Sequence, residues 1–437
     1  MGCSQANITP SWPVYIYGYA SRNRLTAAVE DPIEAGVIAL EQNGNRKLII
    51  TADLLGIKVQ ECRLIYDAIR SAVGIDFPDI FLSSSHTHFA PNFSGYNVYF
   101  ADDDENALPI GNYPPDKRFI DFFLDKLIPA VRHALNDLEE VKLLQTEIPV
   151  SSIAFNRRTV RKADGGVTTN FVYPQDPENY NFSPIDPIMH IWKFMRGNTP
   201  KAVLARYGCH PVTGGYDFYG ISHDYPGYFR RSIRQKMNCP AFFMLGTAGD
   251  VVPLRREGAS RSDIGEVLAD TVRLAEYTYR DTTDFVLKST RFSINVHAPS
   301  LRGQTLDTLQ TAWENELAKA RREIPGKLNT DFWLAGAKLA LMKEFGSADA
   351  QLDLQLLQLG NRVLVGLPFE VLTNIGVNIR LPHPDAAIIS CTGGYEFYLP
   401  VQDDFAKGGY EVEYGTLWAP DTGNKVIASV IKALDKF

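Results

Sequence analysis

Apolar positions along the chain recur with two periods, and the alternation between them outlines the architecture. Glu34–Leu40 and Lys47–Thr51 are apolar runs of strand length, separated by the turn-like Gln42-Asn43-Gly44-Asn45. Val59–Ala72 carries Cys62, Ile65, Ala68, Ile69 and Ala72 at helical spacing, and Asp79–Leu82 again reads as a buried strand. This is the pattern of a β-α-β unit, whose crossover is right-handed and whose ligands sit beyond the carboxyl ends of the strands. Further helices are predicted over Arg118–Leu138, Tyr225–Lys236, Asp263–Tyr279, Thr305–Arg322 and Asp331–Phe345. Further strands are predicted over Met189–Met195, Ala202–Tyr207, Ala241–Leu245, Asp284–Val296 and Gln355–Val365.

Two stretches follow neither period. Residues 92–115 and 162–187 are rich in Asn, Asp, Gly, Pro and Tyr, and read as long excursions. Their aromatic content favours structured lids over disorder. No repeat, low-complexity segment or linker divides the chain. The expected fold class is α/β: a large mixed β-sheet core, read as two packed sheets, flanked by helices, in a single domain over 1–437 with the active site at strand ends.

Composition narrows the function. With 437 residues, 45% hydrophobic and 22% charged, the chain has ample material for a large core and reads as a soluble globular protein. A net charge of −7 argues against nucleic acid or an anionic membrane as the main partner. No apolar run reaches membrane-spanning length. No signal peptide is visible at Met1. The start Met-Gly-Cys-Ser fits either the remnant of a processed leader, which implies a periplasmic or secreted protein, or a native start, which implies a cytoplasmic one. The five cysteines (Cys3, Cys62, Cys209, Cys239, Cys391) are scattered without Cys-x-x-Cys spacing, which favours buried thiols and leaves a single disulfide open.

Candidate chemistry collects where apolar runs end. Asp79–Leu82 leads into Ser83-Ser84-Ser85-His86-Thr87-His88, and in an extended chain the two imidazoles share a face. Such a pair suits a divalent metal of the zinc type, although ordinary loop histidines are an equal alternative. Ala202–Tyr207 leads into Gly208-Cys209-His210-Pro211. Phe242–Leu245 leads into the glycine-rich turn Gly246–Asp250. Leu364–Leu367 leads into Pro368-Phe369-Glu370, and Ala386–Ser390 leads towards Tyr398. Taken singly, Asp250 can be a turn cap, Glu370 a helix cap, His210 a core histidine and Tyr398 packing. Jointly, the imidazoles, the carboxylate and the phenol make a coherent hydrolytic metal site.

These motifs, in this order, resemble the catalytic domain of the neutral/alkaline, non-lysosomal ceramidases, zinc amidases that cleave the N-acyl bond of ceramide. The resemblance rests on Asn7-Ile8-Thr9-Pro10, Gly18-Tyr19-Ala20, Ser85-His86-Thr87-His88, Asn156-Arg157, His210-Pro211, Ser222–Tyr228, Leu367-Pro368-Phe369-Glu370 and the tyrosine-rich Tyr395–Tyr410. It implies zinc held by His86, His210, Glu370 and Tyr398. It also implies that His88 lies near the activated water as general base or proton shuttle, and that Arg157 and Tyr410 line the pocket as oxyanion stabilisers. Asp250 and its neighbouring amides join the catalytic set. Three departures stand out. Val252 occupies the place of the family's active-site serine, the chain ends at Phe437 without the additional C-terminal β-domain, and the polar, tyrosine-rich excursions do not suggest a lipid-gripping surface.

The reading that follows is a zinc-dependent hydrolase that uses metal-activated water on an amide or ester other than ceramide. Its partner would be a small acyl amide or ester, with sugar- and lipid-linked forms both open. One alternative is a true N-acylsphingosine amidohydrolase in which Thr247 or Ser222 supplies the missing hydroxyl. The other is a catalytically silent, metal-containing binding protein.

Overall fold

The computed structural model describes residues 1–19, 22, 25–93, 117–282, 285–320 and 330–437. Its core is built from three mixed sheets. The first has strand order Gly2–Asn7, Glu34–Gln42, Asn45–Ala52, Ile80–Ser84, and only its last pair is parallel. Asn43 and Gly44 close the first predicted hairpin with φ of 52° and 79°. Positive φ at both positions is what a two-residue Asn-Gly turn demands. Helix Val59–Val73 carries the crossover to Ile80–Ser84 and buries Cys62, Ile65 and Ile69, the predicted face.

The second sheet runs in the order Ala241–Leu245, Thr199–Tyr207, Ile188–Arg196, Lys142–Pro149, Arg280–Asp281. The third runs Leu287–His297, Asp349–Leu359, Arg362–Gly366, Ala386–Ile389. Each again has one parallel pair, Thr199–Tyr207 with Ala241–Leu245 and Arg362–Gly366 with Ala386–Ile389. Strands buried on both faces read as unbroken apolar runs, which is why Ala241–Leu245 and Ala386–Ile389 are legible without alternation. The sheets share one interior, where Ile38, Ile49 and Phe81 meet Trp192, Phe194, Leu204 and Phe242, and both meet Leu357, Leu364 and Ile389. Helices cover the outside: Lys117–Asn136 against the first sheet, Asp224–Met237 with Ser260–Leu274, and Leu306–Ala320 with Thr330–Phe345.

Several predicted elements take a different form. Gln355–Val365 is not one strand but parts of two, Asp349–Leu359 and Arg362–Gly366, reversed at Gly360 (φ 64°). Asp79 ends a 3-10 turn instead of opening a strand. The helix expected to reach Tyr279 stops at Leu274 and is followed by one 3-10 turn. Excursion 162–187 has structure of its own. Val167–Thr169 and Tyr180–Phe182 flank Arg158–Arg161 in a three-stranded sheet, and Tyr173 stacks on Phe182 with ring centroids 5.4 Å apart. Excursion 92–115 from position 94 onward, the start of the strand predicted at Asp284 and the tail of helix Thr305–Arg322 lie outside the described residues. All five cysteines are free thiols. Among the described residues no helix is long and apolar enough to cross a membrane.

Candidate metal centre and active site

The three parallel pairs point their carboxyl ends at one place. Backbone hydrogen bonds sew those ends together: Ser84 N donates to Cys391 O (3.1 Å), Ser390 N to Leu245 O (2.9 Å) and Gly246 N to Tyr207 O (2.8 Å). The segments that follow the strands therefore meet, although they come from different sheets.

His86 and His88 do not share a face by strand alternation. Their strand ends at Ser84, and His86 has φ 67°, a left-handed conformation that turns the chain. His86 N is held by Leu54 O (2.9 Å) and His88 N by Pro211 O (3.2 Å). This turn brings the two rings to 4.9 Å between centroids, nearly perpendicular. His210 follows its strand and is pinned through its backbone N to Val251 O (2.9 Å). Glu370 belongs to a short ladder in which it pairs with Tyr398, so this pairing sets the two side by side.

The geometry at the centre is close. His86 Nε2 and His210 Nε2 lie 3.2 and 3.0 Å from the same oxygen, Glu370 Oε2. His88 Nε2 is 3.3 Å from His86 Nε2, and the Tyr398 hydroxyl is 3.4 Å from His210 Nε2. One nitrogen from each of His86, His88 and His210 lies within 4.8 Å of the others. Buried carbonyls accept only, so His86 Nδ1 must donate to Leu55 O (2.7 Å) and His210 Nδ1 to Ala248 O (2.5 Å). When neutral, each ring turns an Nε2 lone pair towards a carboxylate oxygen. Lone pairs facing a buried anion are unfavourable unless a cation stands between them. The donor set, imidazole nitrogen and carboxylate oxygen in a buried cluster, fits zinc.

The electrostatics agree that this cluster demands positive charge. Burial disfavours a charged His86, but the Glu370 carboxylate outweighs it and pushes the ring up to about 10. Burial, then Arg157, lowers His210 to about 4, and burial followed by the charge of His86 and His210 holds His88 well below the ordinary range. Glu370 is held well below the carboxylate range: burial opposes ionisation, and the charge of His86 overcomes it. The two imidazole partners of Glu370 move in opposite directions: the carboxylate prevails over burial at His86, whereas burial and Arg157 prevail at His210.

Around the centre stands a second ring of groups. Tyr395 donates to Glu370 Oε1 (2.7 Å) and orients the carboxylate. Arg157 donates from Nη2 to the Tyr398 hydroxyl (3.0 Å) and from Nε to buried Glu411 (2.7 Å). Arg158 also donates to Glu411 (2.9 Å). Tyr410 stands edge-on to Tyr398 at 5.8 Å. Gly18 (φ 117°) lies against His88; a Cβ there would come within 2.6 Å of its ring. Glu370, His88, Tyr398, Arg157 and Tyr410 line a cavity of about 820 Å³, with His86 and His210 immediately behind them.

Seven of the residues predicted from sequence thus come together: His86, His88, His210, Glu370, Tyr398, Arg157 and Tyr410. Asp250 does not face the cavity. Its oxygens accept from Thr373 N and Oγ1 (2.8 Å each) and from Asn156 Nδ2 (2.8 Å), so it anchors the start of helix Thr373–Arg380. Val252 is fully buried with Phe155 and Val212, and Tyr19 packs against that cluster. Neither candidate replacement hydroxyl lines the cavity: Ser222 donates to Asp31 (2.6 Å), and Thr247 lies beside Arg206. Sequence reasoning misses Tyr395, Glu411, Tyr19 and Arg256. Tyr395 is within reach, since it opens the tyrosine-rich segment Tyr395–Tyr410 that also holds Tyr398.

No protein-family model and no curated protein sequence matches this chain. Solved structures match it in fold. A neutral ceramidase from Pseudomonas aeruginosa superposes with a TM-score of 0.73 at 17% identity, over 98% of this chain and 73% of that one. A ceramidase complexed with C2 superposes with a TM-score of 0.75 at 16% identity, over 100% of this chain and 75% of that one. The chain therefore has the neutral ceramidase fold, the architecture that its motifs resemble.

Proposed function

We propose that the protein is a zinc-dependent hydrolase that cleaves an amide or ester bond of a small acyl substrate. The observation that carries this reading is the meeting of His86 and His210 with one oxygen of Glu370, at 3.2 and 3.0 Å, beside a large cavity. His86, His210 and Glu370 would hold the ion, with Tyr398 next to it. Zinc held there supplies Lewis-acid polarisation and activates water near neutral pH, so no serine is needed at Val252. His88 lines the cavity with an Nδ1 that makes no hydrogen bond among the described residues, and is the group to carry a proton between water and leaving atom. Arg157, fixed by Glu411 and reaching Tyr398, stabilises negative charge that develops on the carbonyl oxygen. Phe171, Trp333 and Phe397 offer apolar wall for the acyl part.

A second reading, hydrolysis of N-acylsphingosine itself, draws support from the fold likeness and from Phe171, Val172 and Tyr216, which line the cavity and are 45%, 61% and 63% exposed. Both readings are tested by assaying ceramide and a panel of simpler acyl amides and esters, with and without chelator, alongside metal analysis. Chelator-sensitive turnover lost in His86→Ala is the expected result. Stoichiometric metal with no turnover on any substrate would leave a binding protein, and no metal at all would refute the site.

A further inference from the structure

The cavity wall also carries a guanidinium, that of Arg256, with no ion-pair partner among the described residues. Among the described residues, four Lys and Arg side chains line the cavity: Lys58, Arg157, Arg256 and Arg261. Lys58 is paired with Glu396 (3.0 Å) and Glu344 (3.3 Å), Arg157 with Glu411 (2.7 Å), and Arg261 lies 3.8 Å from Asp31. Arg256 is in no ion pair among the described residues, and its buried Nε makes no hydrogen bond to any of them. Burial works against its charge and Arg157 adds to that, while Tyr19 and, more weakly, the buried Asp224 carboxylate offset part of it. Beside it the Tyr19 hydroxyl is also buried and without a hydrogen-bond partner among the described residues. The Tyr19 ring stands 5.1 Å from that of His88, which ties this spot to the reacting centre. Besides Glu370, the carboxylates among the described lining residues are Asp217 and Glu257, both exposed.

We infer that Arg256 and Tyr19 form a subsite for a carboxylate carried by the substrate, a few bonds from the scissile carbonyl, as in an N-acyl amino acid. This rests on the hydrolase reading and adds a substrate class to it. A planar guanidinium matches a carboxylate with parallel N–H donors, and a phenol supplies a further donor. A partly buried cation without an ion-pair partner among the described residues is costly, and an anionic ligand recovers that cost on binding. Val252 has a place in this arrangement: with Phe155 and Val212 it forms the apolar bed against which Tyr19 packs. The remaining wall, with Phe171, Trp333 and Phe397, accepts an acyl chain.

The test uses 4-oxoundecanoic acid, in which a methylene replaces the hydrolysable NH of N-octanoylglycine, and its neutral primary amide. Both are titrated calorimetrically into the purified protein. The acid should bind about 10- to 100-fold tighter than the amide. Arg256→Gln should reduce that ratio to within about threefold, and Arg256→Lys, which keeps charge but loses the planar fork, to an intermediate value. Tyr19→Phe should lower it several-fold. Equal binding of acid and amide to the unaltered protein, or binding of neither, overturns the inference. So does a preference that survives Arg256→Gln, because the carboxylate would then be held elsewhere. Turnover of neutral amides without acid preference would refute the subsite and leave the hydrolase reading intact. Acid preference in binding without turnover of any N-acyl amino acid would do the reverse.

Discussion

Glu370 and Tyr398 are direct register partners in a two-stranded parallel ladder, and both side chains reach His210 Nε2, at 3.0 and 3.4 Å. Main-chain pairing therefore fixes the spacing of these two donors. Glu370 N is held to Phe397 O (2.9 Å) and Tyr398 N to Gly415 O (3.0 Å). Neither residue depends on a flexible loop for its position, which is the condition a preorganised site requires.

The Tyr395 hydroxyl donates to the Glu370 oxygen that faces away from the histidines. Partners of metal-ligating carboxylates commonly tune affinity by 10- to 100-fold. Tyr395→Phe should weaken zinc binding by about that factor while leaving the fold intact. Competition against a chromophoric chelator reads the change.

Glu411 is fully buried between Arg157 and Arg158 and also accepts from Thr169. Removing it leaves two guanidinium groups without their shared anion. Glu411→Ala should cost about 3–5 kcal/mol in urea unfolding, the range for a broken buried ion pair. Turnover should fall as well, because Arg157 loses the group that aims it.

Glu61 sits in the first turn of helix Val59–Val73 with Oε2 buried and unpartnered among the described residues. Burial pushes its carboxyl up to about 7 from 4.5, and Glu344 adds to the effect. The folded state thus binds this proton more tightly than the unfolded chain. The resulting stability is present below about pH 4.5 and is lost as pH rises through 7. Relative to Glu61→Gln, the unaltered protein should lose about 3 kcal/mol between pH 4.5 and 8.5, since each tenfold difference in proton affinity is worth about 1.4 kcal/mol. Denaturant melts of both proteins across that range check the sign. Parallel pH curves would assign the carboxyl an ordinary titration.

Val252→Ser places a hydroxyl in the apolar cluster of Phe155 and Val212. An unpartnered buried hydroxyl costs about 1–3 kcal/mol. The expected outcome is a lower melting temperature and no gain in turnover on ceramide.

Much of this is readable from the chain because the site follows one rule. His210 and Glu370 come soon after strands that are buried on both faces, and such strands announce themselves as unbroken apolar runs. His86 obeys the same rule, but alternation is the wrong reason for its meeting with His88: a left-handed residue brings the two together. The Gly360-Asn361 reversal carries an ordinary turn signal that is easily lost within a longer apolar stretch. Glu411, Tyr19 and Arg256 escape a reading of the chain because their roles depend on partners far away in sequence. Arg157 and Glu411 meet only once the fold exists, and nothing local to either announces the pairing. Asp250 illustrates the opposite hazard, a carboxylate in a promising glycine-rich turn whose oxygens are consumed by Thr373 and Asn156.

The donors at the centre arrive from three separate sheets, His86 after the first, His210 after the second and Glu370 after the third. An ion gripped by all three would act as a rivet through the molecule, and would hold only when every sheet is in place. Its grip would be felt in global unfolding, at about 4 kcal/mol for free metal a thousandfold above its dissociation constant. Loading and tertiary integrity would then rise and fall together, so that a damaged copy releases its ion before it can misuse it.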